Sequence, residues 1–404
     1  MHVELHPVFK NQADAAQAAE LISACVHCGF CLATCPTYLD ARDERDSPRG
    51  RIYLLKQLLE QGESSEATLT HLDRCLTCRS CETTCPSGMR YGRLLDLGRV
   101  MAEQQAPRPL YQRWFRRTLR YVLTRPALFG LALRCGQLCR PLLPAALQRK
   151  IPPRQAAVRA VPAASHKRRM LLLEGCVQKA ATPATNAAAR RVMDRLGINL
   201  VPIPGAGCCG AVDHHLGATE AGLDHMRRNI DAWWPALESG AEAIVSSASG
   251  CGTQLAEYGE LLAFDPDYAA KARRVAELSR DLSEVLLAED PARLAPAGGR
   301  QRIAVHTPCS LQHGLGLPNT VSTLLREAGF ELTTTGDEHL CCGSAGTYSI
   351  LQPERSERLR ARKLQALEGD QPDLIATANV GCQLHLQAAA GVPVKHWIEL
   401  LDPG

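Results

Sequence analysis

The stretch CVHCGFCLATCP spans residues 25–36, and CLTCRSCETTCP follows 50 positions later at residues 75–86. Both read C-x2-C-x2-C-x3-C-P, a spacing in which three thiolates on a tight loop hold one [4Fe-4S] cubane. The turn that follows carries the fourth cysteine away, so that it ligates the neighbouring cubane instead. The sequence therefore predicts two [4Fe-4S] clusters with crossed ligand sets, namely Cys25, Cys28, Cys31 and Cys85, and Cys75, Cys78, Cys81 and Cys35.

Two other uses of these cysteines fit the sequence less well. A structural zinc site usually separates two cysteine pairs by a longer loop, whereas each run here packs four cysteines closely together. A disulfide framework is typical of short secreted chains, and this chain has 404 residues. Because iron–sulfur ligation indicates a reducing compartment, we expect the remaining cysteines to be thiols or ligands.

The composition is that of a globular protein, with 45% hydrophobic residues and length enough for several domains. The amino terminus has no basic segment followed by an apolar one, so no signal peptide is expected. No apolar run approaches the roughly 20 residues that a membrane-spanning helix needs. We expect a cytoplasmic protein, held at most peripherally on the cytoplasmic face of the inner membrane.

Charge is distributed unevenly along the chain. Residues 104–173 contain 15 lysines and arginines and no acidic residue, although the net charge is only +4. On a predicted helix in this block, basic residues share one face and apolar residues another: Arg113, Arg116, Arg117 and Arg120 against Leu110, Trp114, Tyr121 and Val122. This pattern is typical of a helix in a membrane interface; docking on a partner subunit or on the protein's own core is the alternative. The block has no nucleic-acid recognition motif, so no nucleic-acid partner is expected.

The segment between the cysteine runs is predicted to be helical, because apolar residues recur at helical spacing over residues 51–60 and Gly62 ends the pattern. A helix here favours an all-helical two-cluster domain over residues 1–106. Residues 107–165 are predicted to form a basic helical connector and linker. Within it, Cys135 and Cys139 are expected to be buried free thiols.

The rest of the chain repeats itself. Four cysteines of one half recur in the other at separations of 133, 133, 133 and 131 residues: Cys176, Cys208, Cys209 and Cys251, then Cys309, Cys341, Cys342 and Cys382. Short strand-like segments alternate with helical ones around them, which predicts two tandem α/β modules with parallel sheets, over residues 166–297 and 298–404. The cysteines follow the strands, and ligand sites gather at the carboxyl ends of parallel strands. These eight cysteines are candidate ligands of a further metal or iron–sulfur site, and small buried thiols are the alternative.

With these features in hand, the chain resembles the iron–sulfur subunits of bacterial glycolate oxidases over its full length. The stretches that carry the resemblance are residues 24–31 (ACVHCGFC), 50–54 (GRIYL), 71–78 (HLDRCLTC), 173–176 (LEGC), 207–213 (GCCGAVD), 229–235 (NIDAWWP) and 339–348 (HLCCGSAGTY). The chain is more distantly similar to the third subunit of anaerobic glycerol-3-phosphate dehydrogenase and to heterodisulfide reductase.

The resemblance implies an oxidoreductase complex of three subunits. An FAD-bearing catalytic subunit would oxidise glycolate to glyoxylate beside a second flavoprotein-like subunit, and this chain would carry electrons towards membrane quinone. No residue of this chain is expected to act on the substrate. The resemblance to heterodisulfide reductase is incomplete, since Ala248 and Asn379 stand where that family has a fifth thiol in each module.

Two other functions stay open at this point. One is the equivalent subunit for another 2-hydroxy acid or for glycerol 3-phosphate. The other is a disulfide or quinone reductase that acts directly at the Cys-Cys-Gly modules.

Overall fold

The computed structural model describes residues 1–144, 148–155, 160–161, 166–289, 294 and 301–402. The predicted module boundary at residues 297 and 298 and much of the predicted linker lie outside these ranges. Within them, no helix combines the length and the apolar character needed to cross a membrane.

The amino-terminal part is all helical, as predicted. Its helices are α1 (Ala13–Ser23), α2 (Cys31–Thr34), α3 (Pro36–Ala41), α4 (Pro48–Gln61), α5 (Glu66–Asp73), α6 (Ser80–Thr83) and α7 (Tyr91–Gln105). The local sequence explains α4: the Ser47 side chain accepts a hydrogen bond from the Gly50 N–H, Pro48 opens the first turn, and Gly62 ends the helix at φ 77°. Leu55 and Leu58 of α4 pack in the core between α1 and α7.

The connector begins with α8 (Leu110–Leu123) and α9 (Pro126–Cys139). Helix α8 docks on the protein through its basic face: Arg116 donates to the Asp73 carboxylate at 2.6 Å, and the Arg120 Nε lies 3.5 Å from Asp213. Leu110, Trp114 and Tyr121 of its apolar face are exposed to solvent, and Val122 is half-buried. Docking on the protein's own core was one of the alternatives, but the contacts are made at the surface by Arg116 and Arg120, while Arg113 and Arg117 stay exposed.

The two remaining cysteines of the connector correct a prediction. Cys135 and Cys139 on α9 are exposed, so the expectation of buried thiols is wrong. Helix α9 lies at the surface and buries none of its side chains fully, which leaves both thiols open to solvent.

The first α/β module has a parallel sheet of order β2-β1-β3-β4. Its elements are β1 (Arg168–Leu173), α10 (Gln178–Ala181), α11 (Pro183–Arg195), β2 (Ile198–Pro202), α12 (Ala211–His215), α13 (Thr219–Glu238), β3 (Ile244–Ser246), α14 (Ser249–Ala256), α15 (Tyr258–Leu261), α16 (Ala269–Leu278), β4 (Ser279–Asp281) and α17 (Leu282–Leu287). In register, Leu171 pairs with Ile244 and Leu172 with Val245; all four side chains are buried.

The second module repeats this topology in a parallel sheet of order β6-β5-β7-β8. Its elements are β5 (Arg302–His306), a π-helical turn (Ser310–Gly314), α18 (Thr320–Glu327), β6 (Glu331–Leu332), α19 (Tyr348–Leu351), α20 (Pro353–Glu368), β7 (Leu374–Thr377), α21 (Val380–Gln387), β8 (Val394–His396) and α22 (Ile398–Leu401). The predicted fold class, a helical two-cluster domain followed by two tandem α/β modules, is confirmed.

The helical domain is seated on both modules. Towards the first, Asp96 of α7 accepts a hydrogen bond from His215 of α12 at 3.0 Å. Towards the second, Asp40 of α3 receives two hydrogen bonds from Arg358 of α20 at 2.8 and 2.7 Å. The helical domain therefore packs against both modules rather than standing apart from them.

Candidate metal centres

The first predicted ligand set lines one cavity of the helical domain. Its members, called site A from here on, are Cys25, Cys28, Cys31 and Cys85. Cys28 is exposed and the other three are half-buried, so this cavity opens at the surface. The side chains of Ile52, Met89 and Tyr91 contribute to an apolar lining.

The second predicted set lines a neighbouring, more enclosed cavity. This set, called site B, is Cys35, Cys75, Cys78 and Cys81. Cys35 and Cys81 are buried. Burial, and then the charges of Cys78, Cys75 and Cys35, raise the pKa of Cys81, which reflects how closely the four sulfur atoms gather. Cys81 and Tyr91 line both cavities, so the two sites are immediate neighbours.

The backbone of the two loops fits a cubane at each site. His27 and Thr77, at equivalent positions of the two runs, have left-handed φ of 57° and 54°, and Gly29 and Arg79 follow at 85° and 60°. This conformation turns N–H groups towards sulfur, as in the Thr77 N–H, which donates to the Cys75 Sγ at 3.4 Å. Backbone hydrogen bonds to sulfur are a feature of iron–sulfur sites and tune their potentials. Eight thiols on two such loops would hold two [4Fe-4S] clusters.

A network of buried charged side chains lies next to site B. Arg51 of α4 is fully buried, lines the cavity, and donates to the His71 carbonyl at 2.7 Å. Its guanidinium lies 3.5 Å from Asp46, whose carboxylate also bonds the His71 ring at 2.8 Å. Burial by itself lowers the pKa of Arg51, but the negative charges of Cys75 and its neighbours raise it overall, so the residue stays cationic. A fixed positive charge beside four thiolates stabilises their anionic, metal-binding form.

The Cys-Cys-Gly modules each gather four thiols where strands end. The first group, called tetrad 1, is Cys176, Cys208, Cys209 and Cys251, and the second, tetrad 2, is Cys309, Cys341, Cys342 and Cys382. In tetrad 2 the Cys309 and Cys341 sulfurs are 3.8 Å apart. The hydrogen bond to Cys341, followed by burial, raises the pKa of Cys309, and tetrad 1 shows the same effect at Cys176. Without a cation Cys176 and Cys309 stay protonated, since adjacent buried thiolates would repel one another.

Sequence reasoning missed one candidate ligand beside tetrad 2, His306. The His306 ring nitrogen and the sulfurs of Cys342 and Cys382 lie within 4.8 Å of one another, and all three residues are buried. The His306 Nδ1 is hydrogen-bonded to the Thr377 hydroxyl at 2.9 Å, which leaves Nε2 for a ligand. The signal in the sequence is a difference between the aligned repeats: Leu173 holds the equivalent position in the first module, so the histidine is specific to the second.

The two tetrads stand in different relations to the cluster sites. Burial, and then Cys309, Cys35 and Cys75, raise the pKa of Cys78, so tetrad 2 directly adjoins site B. Cys341 also packs with Leu76 of the same loop, in one apolar cluster that Cys78 joins. For tetrad 1, the groups that shift the cysteine pKa values belong to that module itself.

Two protein families match the sequence. The 4Fe-4S dicluster domain matches residues 21–89, which contain sites A and B, and the cysteine-rich domain matches residues 170–256 and 303–387, which contain the tetrads.

Curated relatives match over the same regions. The glycolate oxidase iron-sulfur subunit of Escherichia coli K12 is 52% identical over 402 residues, covering 100% of this chain and 98% of that protein. The probable glycolate oxidase iron-sulfur subunit of Bacillus subtilis 168 is 31% identical over 409 residues, covering 94% and 90%. Lactate utilization protein A of Bacillus velezensis is 29% identical over 221 residues, covering 53% of this chain and 91% of that protein.

Proposed function

Because this chain belongs to the family of glycolate oxidase iron–sulfur subunits, we propose that it is the electron-transfer subunit of a flavin-dependent enzyme that oxidises glycolate to glyoxylate. Glycolate gives up two electrons and two protons to the flavin of an FAD-bearing catalytic subunit, which works beside a second flavoprotein-like subunit. The electrons pass through this chain to membrane quinone, which takes up protons to become quinol. The observation that carries the proposal is the pair of adjoining four-cysteine cavities, sites A and B.

The surroundings of the two sites support a direction for the proposed relay. When bound, [4Fe-4S] clusters supply one-electron transfer at sites A and B. Site A opens at the surface, and its exposed Val26 and Phe30 flank Cys28. We place the flavoprotein contact there, since an apolar patch beside the accessible end of a redox chain fits a protein partner. Site B, buried against tetrad 2, then lies on the inward side of the path.

Substitution of one cluster ligand tests this role in the assembled complex. Cys78→Ser is expected to stop electron arrival at quinone while glycolate still reduces the flavin, because the lesion lies beyond the flavin. Cys135→Ser, which removes an exposed thiol outside both sites, is the matched control and should behave as the unmodified chain. Flavin reduction that fails equally in assembled Cys78→Ser complexes would contradict the relay. The alternative substrates are another 2-hydroxy acid and glycerol 3-phosphate. Adding each to the complex shows which of them reduces the flavin.

Tetrad 2 supports a second, additional role as a metal site. His306, Cys342 and Cys382 offer one nitrogen and two thiol ligands at one point, with Cys309 and Cys341 beside them, a donor set that suits zinc or an iron–sulfur centre. We propose that metal binds there, next to site B, and that tetrad 1 is the weaker candidate because Leu173 replaces the histidine. A disulfide or quinone reductase acting at the tetrads would need this site.

Metal analysis decides the point. His306→Leu gives the second module the residue of the first and should lower the metal content of the anaerobically purified chain, while the absorbance from sites A and B persists. His313→Leu, a half-buried histidine outside tetrad 2, should leave the content unchanged. A metal content equal to the iron of two cubanes, with or without His306, would contradict a site at tetrad 2.

A further inference from the structure

Helix α8 shows its apolar side to solvent. Two arginines of the opposite side hold it to the protein: Arg116 is paired with Asp73 at 2.6 Å, and the Arg120 Nε lies 3.5 Å from Asp213. The apolar side forms a stripe of large exposed side chains, with Leu110 71% and Trp114 67% exposed, and it includes Tyr111, Phe115 and Tyr121. A helix that served only the protein's own core would turn this stripe inward. We therefore expect the stripe to contact a partner protein or a membrane.

A cavity of about 290 Å³ with charged side chains in its lining adjoins the stripe at Tyr121. It lies between α8 and α13, and four arginines face it: Arg117, Arg120, Arg125 and Arg228. Two carboxylates, Asp213 and Asp224, also line it. The formal charge of these six groups is positive, which is the condition for holding an anion.

Asp224 is paired outside the cavity, whereas Asp213 is paired with Arg120, one of the four arginines, so the carboxylates offset only one cavity arginine. Asp224 accepts from Arg227, outside the cavity lining, at 2.7 Å. Asp213 bonds the His225 Nε2 at 3.1 Å and faces Arg120. His225 is nine-tenths buried, and its Nδ1 has no hydrogen-bond partner among the described residues. The buried Nε of Arg120 is likewise without a hydrogen bond there.

The other arginines remain for a ligand. Within the described ranges, no carboxylate lies in ion-pair distance of Arg117 or Arg228, and both are exposed at the cavity. The Arg125 guanidinium stacks on the Tyr121 ring, 3.7 Å from its centroid, which holds it at the rim beside the apolar stripe. Several guanidinium groups around one polar space match the oxygens of a phosphate group.

We propose that this cavity binds the phosphate of an anionic phospholipid while the apolar stripe of α8 enters the bilayer interface beside it. The chemistry of the surroundings favours a membrane over a protein partner. The segment of residues 104–173, which includes α8 and α9, contains 15 basic and no acidic residues, complementary to an anionic leaflet. Aromatic side chains beside arginines are the composition of an interfacial helix. The proposal specifies how the chain would bind the membrane that holds its proposed quinone acceptor. It rests on that proposed function only for the reason why the chain would bind a membrane.

The test uses the full-length, cluster-loaded chain and sedimentation with vesicles of phosphatidylcholine, with and without phosphatidylglycerol. The double variant Arg117→Ser/Arg228→Ser removes two arginine side chains that line the cavity and have no ion-pair partner among the described residues. Arg113→Ser/Arg134→Ser removes two exposed arginines of the basic block that do not line it. We expect binding only to phosphatidylglycerol vesicles, weakened about tenfold more by the cavity pair than by the control pair. Trp114→Ser should weaken it as well, and unchanged cluster absorbance keeps the result separate from the electron relay.

Three outcomes would overturn the proposal. Equal weakening by both pairs would mean unspecific attraction between charges. Inorganic phosphate that binds in the cavity and is lost with Arg117→Ser/Arg228→Ser, without any vesicle binding, would assign the cavity to a soluble phosphate compound. Loss of a co-purifying flavoprotein in Trp114→Ser, with no change towards vesicles, would assign the stripe to a protein partner.

Discussion

The carboxylate of Asp46 and the guanidinium of Arg355 lie 3.0 Å apart, although the two residues belong to different domains. Asp46 is fully buried behind site B, and its backbone carbonyl is 3.7 Å from the Cys35 sulfur. Arg355 comes from α20 of the second module. Asp46 thus contacts site B through its backbone carbonyl and the module that carries tetrad 2 through its carboxylate.

Arg355→Gln should lower the free energy of unfolding by about 2 kcal/mol. The loss is below that of an isolated buried pair because Asp46 keeps Arg51 and His71 as partners. An anaerobic denaturant titration measures it. Arg362→Gln, on the same helix and paired with Asp337 at 45% and 41% exposure, should cost no more than about 0.5 kcal/mol. Equal losses would show that the pair does not join the domains.

Arg116 should hold helix α8 on the surface of its own chain rather than bind a partner. Arg116→Gln removes the ion pair to Asp73 and should speed amide hydrogen exchange of residues 110–123 about tenfold, because the helix loses one of the two arginine contacts that attach it. Arg113→Gln, exposed on the same helix, should leave the exchange unchanged. If the two variants exchanged alike, α8 would be held by other contacts.

Asp281 should make the first module sensitive to pH. Burial raises the pKa of Asp281 from 3.8 to about 6, so the folded state holds this proton more tightly than the unfolded chain does. Its contribution to stability is full below the unfolded pKa and is lost as pH rises through about 6. Between about pH 5 and about pH 7.5 this removes about 1.4 kcal/mol.

Denaturant titrations at these two pH values check the effect. Asp281→Asn should flatten the decline by that amount, since a neutral amide does not titrate. Asp267→Asn, at an exposed aspartate, should retain the full decline. An unaltered decline in Asp281→Asn would place the pH dependence elsewhere.

The parts of the fold governed by metal ligation and by repetition were predictable. The spacing of Cys25, Cys28 and Cys31 follows from cubane geometry, and its copy after 50 residues gives the second run. Strand and helix periodicity with the duplicated cysteines gave the two modules. Assignment of the eight cysteines as ligands stays a prediction, which their gathering at sites A and B supports.

Contacts between distant segments were not predictable from local pattern. The orientation of α8 depends on Asp73 and Asp213, which lie outside the helix and attract its arginines inward. His306 is a single histidine, and it becomes a candidate ligand only because the fold brings Cys342 and Cys382 close to it. In each case the deciding partner is far away in sequence.

The crossed ligation of the two clusters is the central claim, and EPR of the anaerobically reduced chain tests it most directly. Cys35→Ser is compared with Cys28→Ser of site A and Cys78→Ser of site B. Because Cys35 lines site B although it belongs to the first run, Cys35→Ser and Cys78→Ser should alter the same signal, and Cys28→Ser the other. If Cys35→Ser and Cys28→Ser altered the same signal, each cluster would be held within its own run, and the account would be contradicted.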